Sequence, residues 1–313
     1  MGDYGHYETE RELKRLEKEL DKQYSIANKE ITKKVDNYFD KFAKRDASKL
    51  EQLNSGKITE KEYLKWRESK MLTGQRWTEM QDVIAKDLTN TNLISAKMIT
   101  DNMANVYALN ANYGMYEISK GANASLSFSL YDKKTVERMI KDKKFPIPVP
   151  RVDIPKDLQW NKQKINSAML QGILQGESVD KISKRLQSVT NMNRVAALRN
   201  ARTYITGAEN RGRLDSYKEA ESLGIEMGKQ WIATNDDRTR DSHLELDGVI
   251  VGVNELFPNG CEYPGDPTAE PEEFYNCRCT MIAAINGHVL KEEPLKEDER
   301  DFKAWEKSES EEE

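Results

Sequence analysis

From Thr9 to about Asp46 the sequence contains neither glycine nor proline, and Leu13, Leu16, Leu20, Tyr24, Ala27, Ile31, Val35, Tyr38 and Phe42 recur at steps of three and four. That spacing puts them on one stripe of an α-helix, with Lys and Glu filling the other faces. Thr9 and Glu12 have the spacing of a capping box, which predicts the helix start. A stripe this long must be covered. Packing on its own chain is the simpler expectation, and a seam for a partner or a second copy is the other.

Composition supports an elongated helical architecture. Charged residues make up 33% of the 313-residue chain, and mean hydropathy is -0.83. The apolar residues are therefore expected on narrow faces of long helices, in two or more domains with ample length to bury a core. No apolar run approaches the length that crosses a bilayer, and the N-terminal MGDYGHYETERELKRL lacks an apolar leader core, so a soluble cytosolic product is expected, with no membrane partner. Three cysteines, two of them one residue apart, do not make a disulfide framework; they read as free thiols or metal ligands.

Asn54-Ser55-Gly56 predicts a helix stop, and Thr59 with Glu62 the start of a shorter helix holding Tyr63, Leu64 and Trp66. A third helical stretch is expected from about Gln75 to Ser119. Ala122 to Leu130 fits either a short strand or a loop. Lys133, Lys134, Arg138, Lys141, Lys143 and Lys144 form the most basic local cluster, read as a solvated helix face with phosphate contact as the alternative. Pro146, Pro148, Pro150 and Pro155 predict an extended segment and the domain boundary. Helices are expected again over Leu158–Gln175, Ser178–Gln187 and Asn193–Leu223. The last carries Val195, Leu198, Ala201, Ile205 and Leu214 inward, with Arg199, Arg202, Arg211 and Arg213 at least partly outward.

From Trp231 to Ala284 the chain changes character, gathering all three cysteines, His243 and most of the turn chemistry. Ile225–Thr234, Gly248–Val253 and Asn276–Ile285 predict three strands of a small antiparallel sheet, with Cys277 and Cys279 on one face. The expected fold is thus mainly α with a small C-terminal α+β module: a helical domain over 1–145, a Pro-rich linker over 146–156, the α+β domain over 157–290 and an acidic tail over 291–313. From Lys291 onward eleven acidic and five basic residues give a net of -6 against -5 for the whole chain, so the body is nearly neutral at +1. The tail is expected to be disordered or loosely docked, and charge alone does not fit the body for coating DNA.

The order Trp231, Asp236-Asp237-Arg238-Thr239-Arg240, His243, Asp247-Gly248, Tyr263-Pro264-Gly265-Asp266 and Asn276-Cys277-Arg278-Cys279 resembles the phage Mu F-like head-morphogenesis family, the minor head proteins of tailed bacteriophages. The resemblance extends upstream through Gly176-Glu177-Ser178, Arg185-Leu186 and Ala201-Arg202-Thr203. Tyr204 departs from the family, which often has an acidic residue there, so no role for that carboxylate carries over. The resemblance implies a non-enzymatic minor head protein of the virion interior, present in the host cytoplasm during assembly. It implies association with the phage portal protein and a role in packaging or ejection, with scaffold or major capsid protein and phage double-stranded DNA as further candidate partners.

Two chemical readings remain. Asp236, Asp237 and His243 could serve a metal-dependent hydrolase or nucleotide-modifying enzyme. The same residues could instead brace a tight loop through Asx-turns and Arg–carboxylate pairs, the preferred reading, since no HExxH, Walker loop or GxSxG is present. Separately, Cys261, Cys277, Cys279 and His243 form a Cys3His set that zinc accepts in closed tetrahedral sites. Its alternative is that Cys277 and Cys279 are small packed residues while His243 hydrogen-bonds an aspartate.

Overall fold

The structure is a computed structural model that describes residues 3–71, 75–122, 129–289 and 293–312. It is mainly α with a small antiparallel sheet near the C-terminus. The expected strand or loop at Ala122–Leu130 falls largely outside the described residues.

Helix α1 spans Tyr4–Asn54, starting one turn earlier than the capping-box spacing predicts. Asp3 is the cap: its Oδ1 accepts from the His6 backbone N–H at 2.9 Å. Thr9 consequently lies inside the helix, where its hydroxyl donates back to the Gly5 carbonyl at 3.0 Å. A tertiary contact overrides the local signal here, because the Arg213 guanidinium grips both Asp3 oxygens at 2.6 Å. At the other end the expected stop holds. Gly56 adopts φ +70°, and the Gly56 and Lys57 N–H groups return to Leu53 and Gln52 at 2.9 Å. The capping box at Thr59 also forms, with Glu62 accepting from the Thr59 N–H at 2.8 Å and Thr59 accepting from the Glu62 N–H at 3.2 Å. It opens α2, Glu60–Met71. Next come α3, Gln75–Ala122, and α4, Lys133–Lys141, capped by Asp132. After the extended proline segment, α5 covers Ile154–Leu174 with Pro155 in its first turn and Asp153 as cap, and α6 covers Val179–Ser222.

The chain forms two compact units, one from Met1–Glu17, Lys97–Pro150 and Leu198–Glu313, the other from Lys18–Ala96 and Arg151–Ala197. In the second unit, Ile31, Val35, Tyr38, Phe39 and Phe42 of α1 bury against Trp77, Ile84 and Leu88 of α3, Ile165, Met169 and Ile173 of α5, and Ile182, Leu186 and Val189 of α6. This part of the α1 stripe is therefore covered by its own chain. The predicted break between 187 and 193 does not occur. Asn193, in the middle of α6, is buried, and its side-chain amide donates to the Val189 carbonyl at 2.9 Å and to Asn161 at 3.0 Å. Asn92 and Asp157 extend that network, so polar residues that favour breaks in isolation are satisfied inside a continuous helix.

In the first unit, β1 (Met227–Ile232), β2 (Ile250–Gly252), β3 (Thr280–Ile285) and β4 (His288–Val289) form an antiparallel sheet in the order β2-β1-β3-β4. Short helices α7, Asp241–Leu244, and α8, Pro271–Phe274, interrupt the connections. Along α6, Ala201, Ile205, Ala208, Leu214 and Tyr217 are buried. Two expectations for this helix are corrected. Val195 is 52% exposed and Arg213 is fully buried, the latter because Asp3, Asn110 and the Met281 carbonyl meet its guanidinium.

The acidic tail also departs from expectation. Leu295–Glu312 is a helix, α9, and Phe302 is buried against Tyr4, Tyr113 and Tyr116 at ring separations of 5.4–5.8 Å. Asp298 accepts from the Tyr4 backbone N–H at 2.9 Å and the Tyr113 hydroxyl at 2.7 Å. Its like charges are eased by pairs one turn apart, such as Glu299 with Lys303 at 2.5 Å. Apolar burial at two or three positions outweighs the charge run.

Candidate metal centre

His243 reaches its place because α7 packs its only buried side chain inward, beneath the Trp231 ring, whose centroid lies 5.0 Å away edge-on. Trp231 is itself fully buried in β1 and meets Phe257 at 5.0 Å. On the floor of this apolar pocket sit Cys277 and Cys279, just before β3. The His243 Nδ1 lies 3.4 Å from the Cys279 sulfur and 3.7 Å from the Cys277 sulfur. Its Nε2 is 3.0 Å from the Glu273 carboxylate at the start of α8. Glu273 also accepts from Asn259 at 2.9 Å and Ser242 at 3.3 Å.

Among the described residues, His243, Cys277 and Cys279 form the one group of metal-ligating side chains whose donor atoms all lie within 4.8 Å of one another. Cys261 is buried in the same apolar cluster but is not a member of that group, so the structure brings together three of the four expected ligands. The reason is local: the turn ending at Cys261 is closed by its own hydrogen bonds, Phe257 N–H to the Cys261 carbonyl at 2.8 Å and Cys261 N–H to Asn259 at 3.3 Å. The partner of His243 is a glutamate, not the aspartate of the alternative reading.

The electrostatics separate the three thiols. A hydrogen bond between the two neighbouring thiols, with His243 on the same side, holds Cys279 well below the usual thiol range and raises Cys277 well above it. Burial pushes Cys261 up to about 12. Burial opposes ionisation of Glu273 as well, yet the hydrogen bond from Asn259, the charge of His243 and the donors of Ser242 and His243 hold it below the ordinary carboxylate value.

The backbone that carries the cysteines is held by a polar row on α6. Thr203 accepts from the Asn276 N–H at 3.1 Å, Thr206 donates to the Cys277 carbonyl at 2.8 Å, and Asn210 donates to the Cys279 carbonyl at 3.1 Å. Thr280 continues the row through Glu209 at 2.7 Å, and Arg213 donates to the Met281 carbonyl at 3.0 Å. Asn276 stands at φ +57°, a conformation that asparagine tolerates better than most residues. Sequence reading passed over Thr206, Glu209 and Asn210; their spacing of three and four along α6 was the available signal.

The acidic residues of the motif brace loops. Asp236 receives both arms of Arg278 at 2.5 Å and the Arg238 N–H at 3.0 Å, which keeps its carboxyl far below the ordinary range. Asp247 accepts from the Ala233 N–H at 2.8 Å, and Gly248, at φ +81°, donates to the Trp231 carbonyl at 2.9 Å. Arg240 donates to the Tyr275 carbonyl. Asp237 is exposed. Upstream, Arg185 clasps Glu177 at 2.5 and 2.8 Å, tying the start of α6 to the turn before it.

Long helices thus carry a small sheet whose motif residues clamp loops around a buried Cys2His group. Residues 163–282 match the family described as Phage Mu protein F like protein. It is 27% identical over 288 residues, 88% of this chain and 84% of the other, to the minor head protein GP7 of Bacillus phage SPP1. It is 30% identical over 182 residues, 56% of this chain but 36% of the other, to the NAD(+)–arginine ADP-ribosyltransferase EFV of Enterococcus faecalis. No solved structure matches it.

Proposed function

We infer that the chain is a minor head protein of a tailed bacteriophage, a structural component of the virion that acts in head morphogenesis. The observation that carries this is the likeness to GP7 along 88% of this chain and 84% of the relative, with the family match inside it. A structural role, not an enzymatic one, agrees with the geometry: Asp236 is spent on Arg278, Asp237 is exposed, and His243 is buried against Glu273 and the thiols. A hydrolase would need these three side chains to converge on one solvent-accessible point. The ADP-ribosyltransferase named above is aligned over 36% of its own length, so the activity in its name is carried over to no residue here.

Portal association, and through it a part in packaging or ejection, is the finer proposal; assembly would proceed in the host cytoplasm, with scaffold or major capsid protein as further partners. Contact with duplex DNA would fall to the basic residues of α4, although Lys133 already faces Glu137 at 3.8 Å. Co-expression with the portal protein of the same phage tests the central claim. Co-elution of the two in a defined ratio is expected, and separate elution at micromolar concentration would overturn portal binding. Divalent-metal-dependent cleavage of DNA, abolished by Asp237→Ala, would overturn the non-enzymatic reading.

A further inference from the structure

We propose that His243, Cys277 and Cys279 bind a zinc-class divalent cation, which pins the α7 turn to the segment leading into β3. This goes beyond the role in head assembly and does not depend on it.

The spacing of the donors fits a tetrahedron. With zinc–sulfur bonds of about 2.3 Å and zinc–nitrogen bonds of about 2.0–2.1 Å, the sulfur–nitrogen edge is about 3.6 Å. The two edges here are 3.4 and 3.7 Å. The correct ring nitrogen faces the sulfurs because the other is occupied: Nε2 is bound to Glu273 at 3.0 Å. A carboxylate on the far nitrogen of a histidine ligand is the common outer contact of zinc sites, where it fixes the tautomer and the ring orientation. Glu273 is in turn held by Asn259 and Ser242, and the sulfurs are placed by Thr206 and Asn210 acting on the cysteine carbonyls. The three ligands and their supports thus come from α6, α7, α8, the turn at Asn259 and the segment leading into β3.

Two soft thiolates and an imidazole in a buried apolar pocket select zinc-like ions over magnesium or calcium, which take oxygen ligands. Both cysteines would bind the ion as thiolates. Cys261 lies outside the converging group, and three protein ligands suffice, since zinc sites with three protein donors complete the tetrahedron with water. The segment between Ala233 and Cys279 holds only short regular elements, so an ion joining its two ends would stabilise what apolar burial there does weakly.

The full-length protein, produced in zinc-supplemented medium and purified without chelator, is expected to carry one zinc per chain by elemental analysis. Cobalt in its place should show thiolate-to-metal charge-transfer bands and the intense visible bands of a tetrahedral ion. Glu273→Gln should weaken zinc affinity by about 10–100-fold with helical content unchanged, as loss of an outer carboxylate does. Because Cys277→Ser or Cys279→Ser could unfold the module, wild-type protein is also treated with chelator: hydrogen exchange should rise over residues 231–285 and not over the core of the second unit. Zinc well under one per chain, cobalt spectra without thiolate bands, or a Cys277–Cys279 disulfide in the non-reduced protein would overturn the proposal.

Discussion

Arg213 is fully buried, and its guanidinium joins Asp3 at 2.6 Å, Asn110 at 3.0 Å and the Met281 carbonyl at 3.0 Å, parts of the chain that are far apart in sequence. Truncation would leave the half-buried Asp3 without its counter-charge. Arg213→Ala is therefore expected to cost about 3–5 kcal/mol, read as a drop in the urea midpoint at unchanged slope; a loss under 1 kcal/mol would show that water replaces the guanidinium. The same cluster makes stability pH-dependent. Burial disfavours a charged His6, but the Glu209 carboxylate at 2.8 Å outweighs it and raises the His6 pKa. Burial, reinforced by Asp3, pushes Glu117 up to about 8. Both groups hold their protons more tightly folded than unfolded, so their contribution is complete below the unfolded value and is lost as pH rises through the folded one. The Glu117 contribution should be lost between about pH 4.5, the ordinary glutamate value, and pH 8, so stability should decline less steeply with pH in Glu117→Gln than in the wild-type protein. Identical pH slopes in the two proteins over that window would contradict the assignment.

Within the first unit, helices α3 and α6 approach so closely at Gly212 that an added Cβ would stand 2.6 Å from the Tyr107 carbonyl oxygen and 3.0 Å from the Ala111 nitrogen. Both obstacles are backbone, which cannot rotate away, so Gly212→Ala is expected to cost about 1–3 kcal/mol by overpacking despite the better helix propensity of alanine. An unchanged melting temperature would mean that the two helices can separate without loss. Helix α9 is held by few side chains, chiefly Phe302 with Trp305 beside it. In wild type the segment 295–312 should resist limited proteolysis, and Phe302→Ala, at a cost of about 3 kcal/mol, should release it as the first fragment. Rapid loss of the segment from the wild-type protein would show that the docking is too weak to matter.

For the molecule as a whole, the charge distribution sets an expectation about nucleic acid. The net charge is -5, and the basic residues of α4 share their face with Glu137, so counterion release has little to work with. The isolated chain should not retard duplex DNA at about 0.15 M salt, a concentration that shortens the range of such forces to about 8 Å. Retardation at that salt would move DNA contact from a role shared with partners to one of this chain's own.

Much of this was legible in the residues alone. The three-and-four spacing of the α1 stripe, the Gly56 stop and the Thr59–Glu62 box are local signals, decided by neighbours within a few positions, and each was realised; the three expected strands formed, but β3 begins only at Thr280, so Cys277 and Cys279 precede the strand instead of sharing its face. The motif residues likewise named the module, and they placed His243, Cys277 and Cys279 on one list of ligands. Tertiary structure decided what depended on distant partners. It moved the start of α1 to Asp3 through Arg213, kept α6 unbroken through Asn161 and Asn193, turned Arg213 inward, folded the acidic tail onto an aromatic cluster, and left Cys261 out of the converging group while bringing in Glu273. Buried polar groups and charges are tolerated only when a specific partner meets them, and a linear sequence does not state which residue that partner will be.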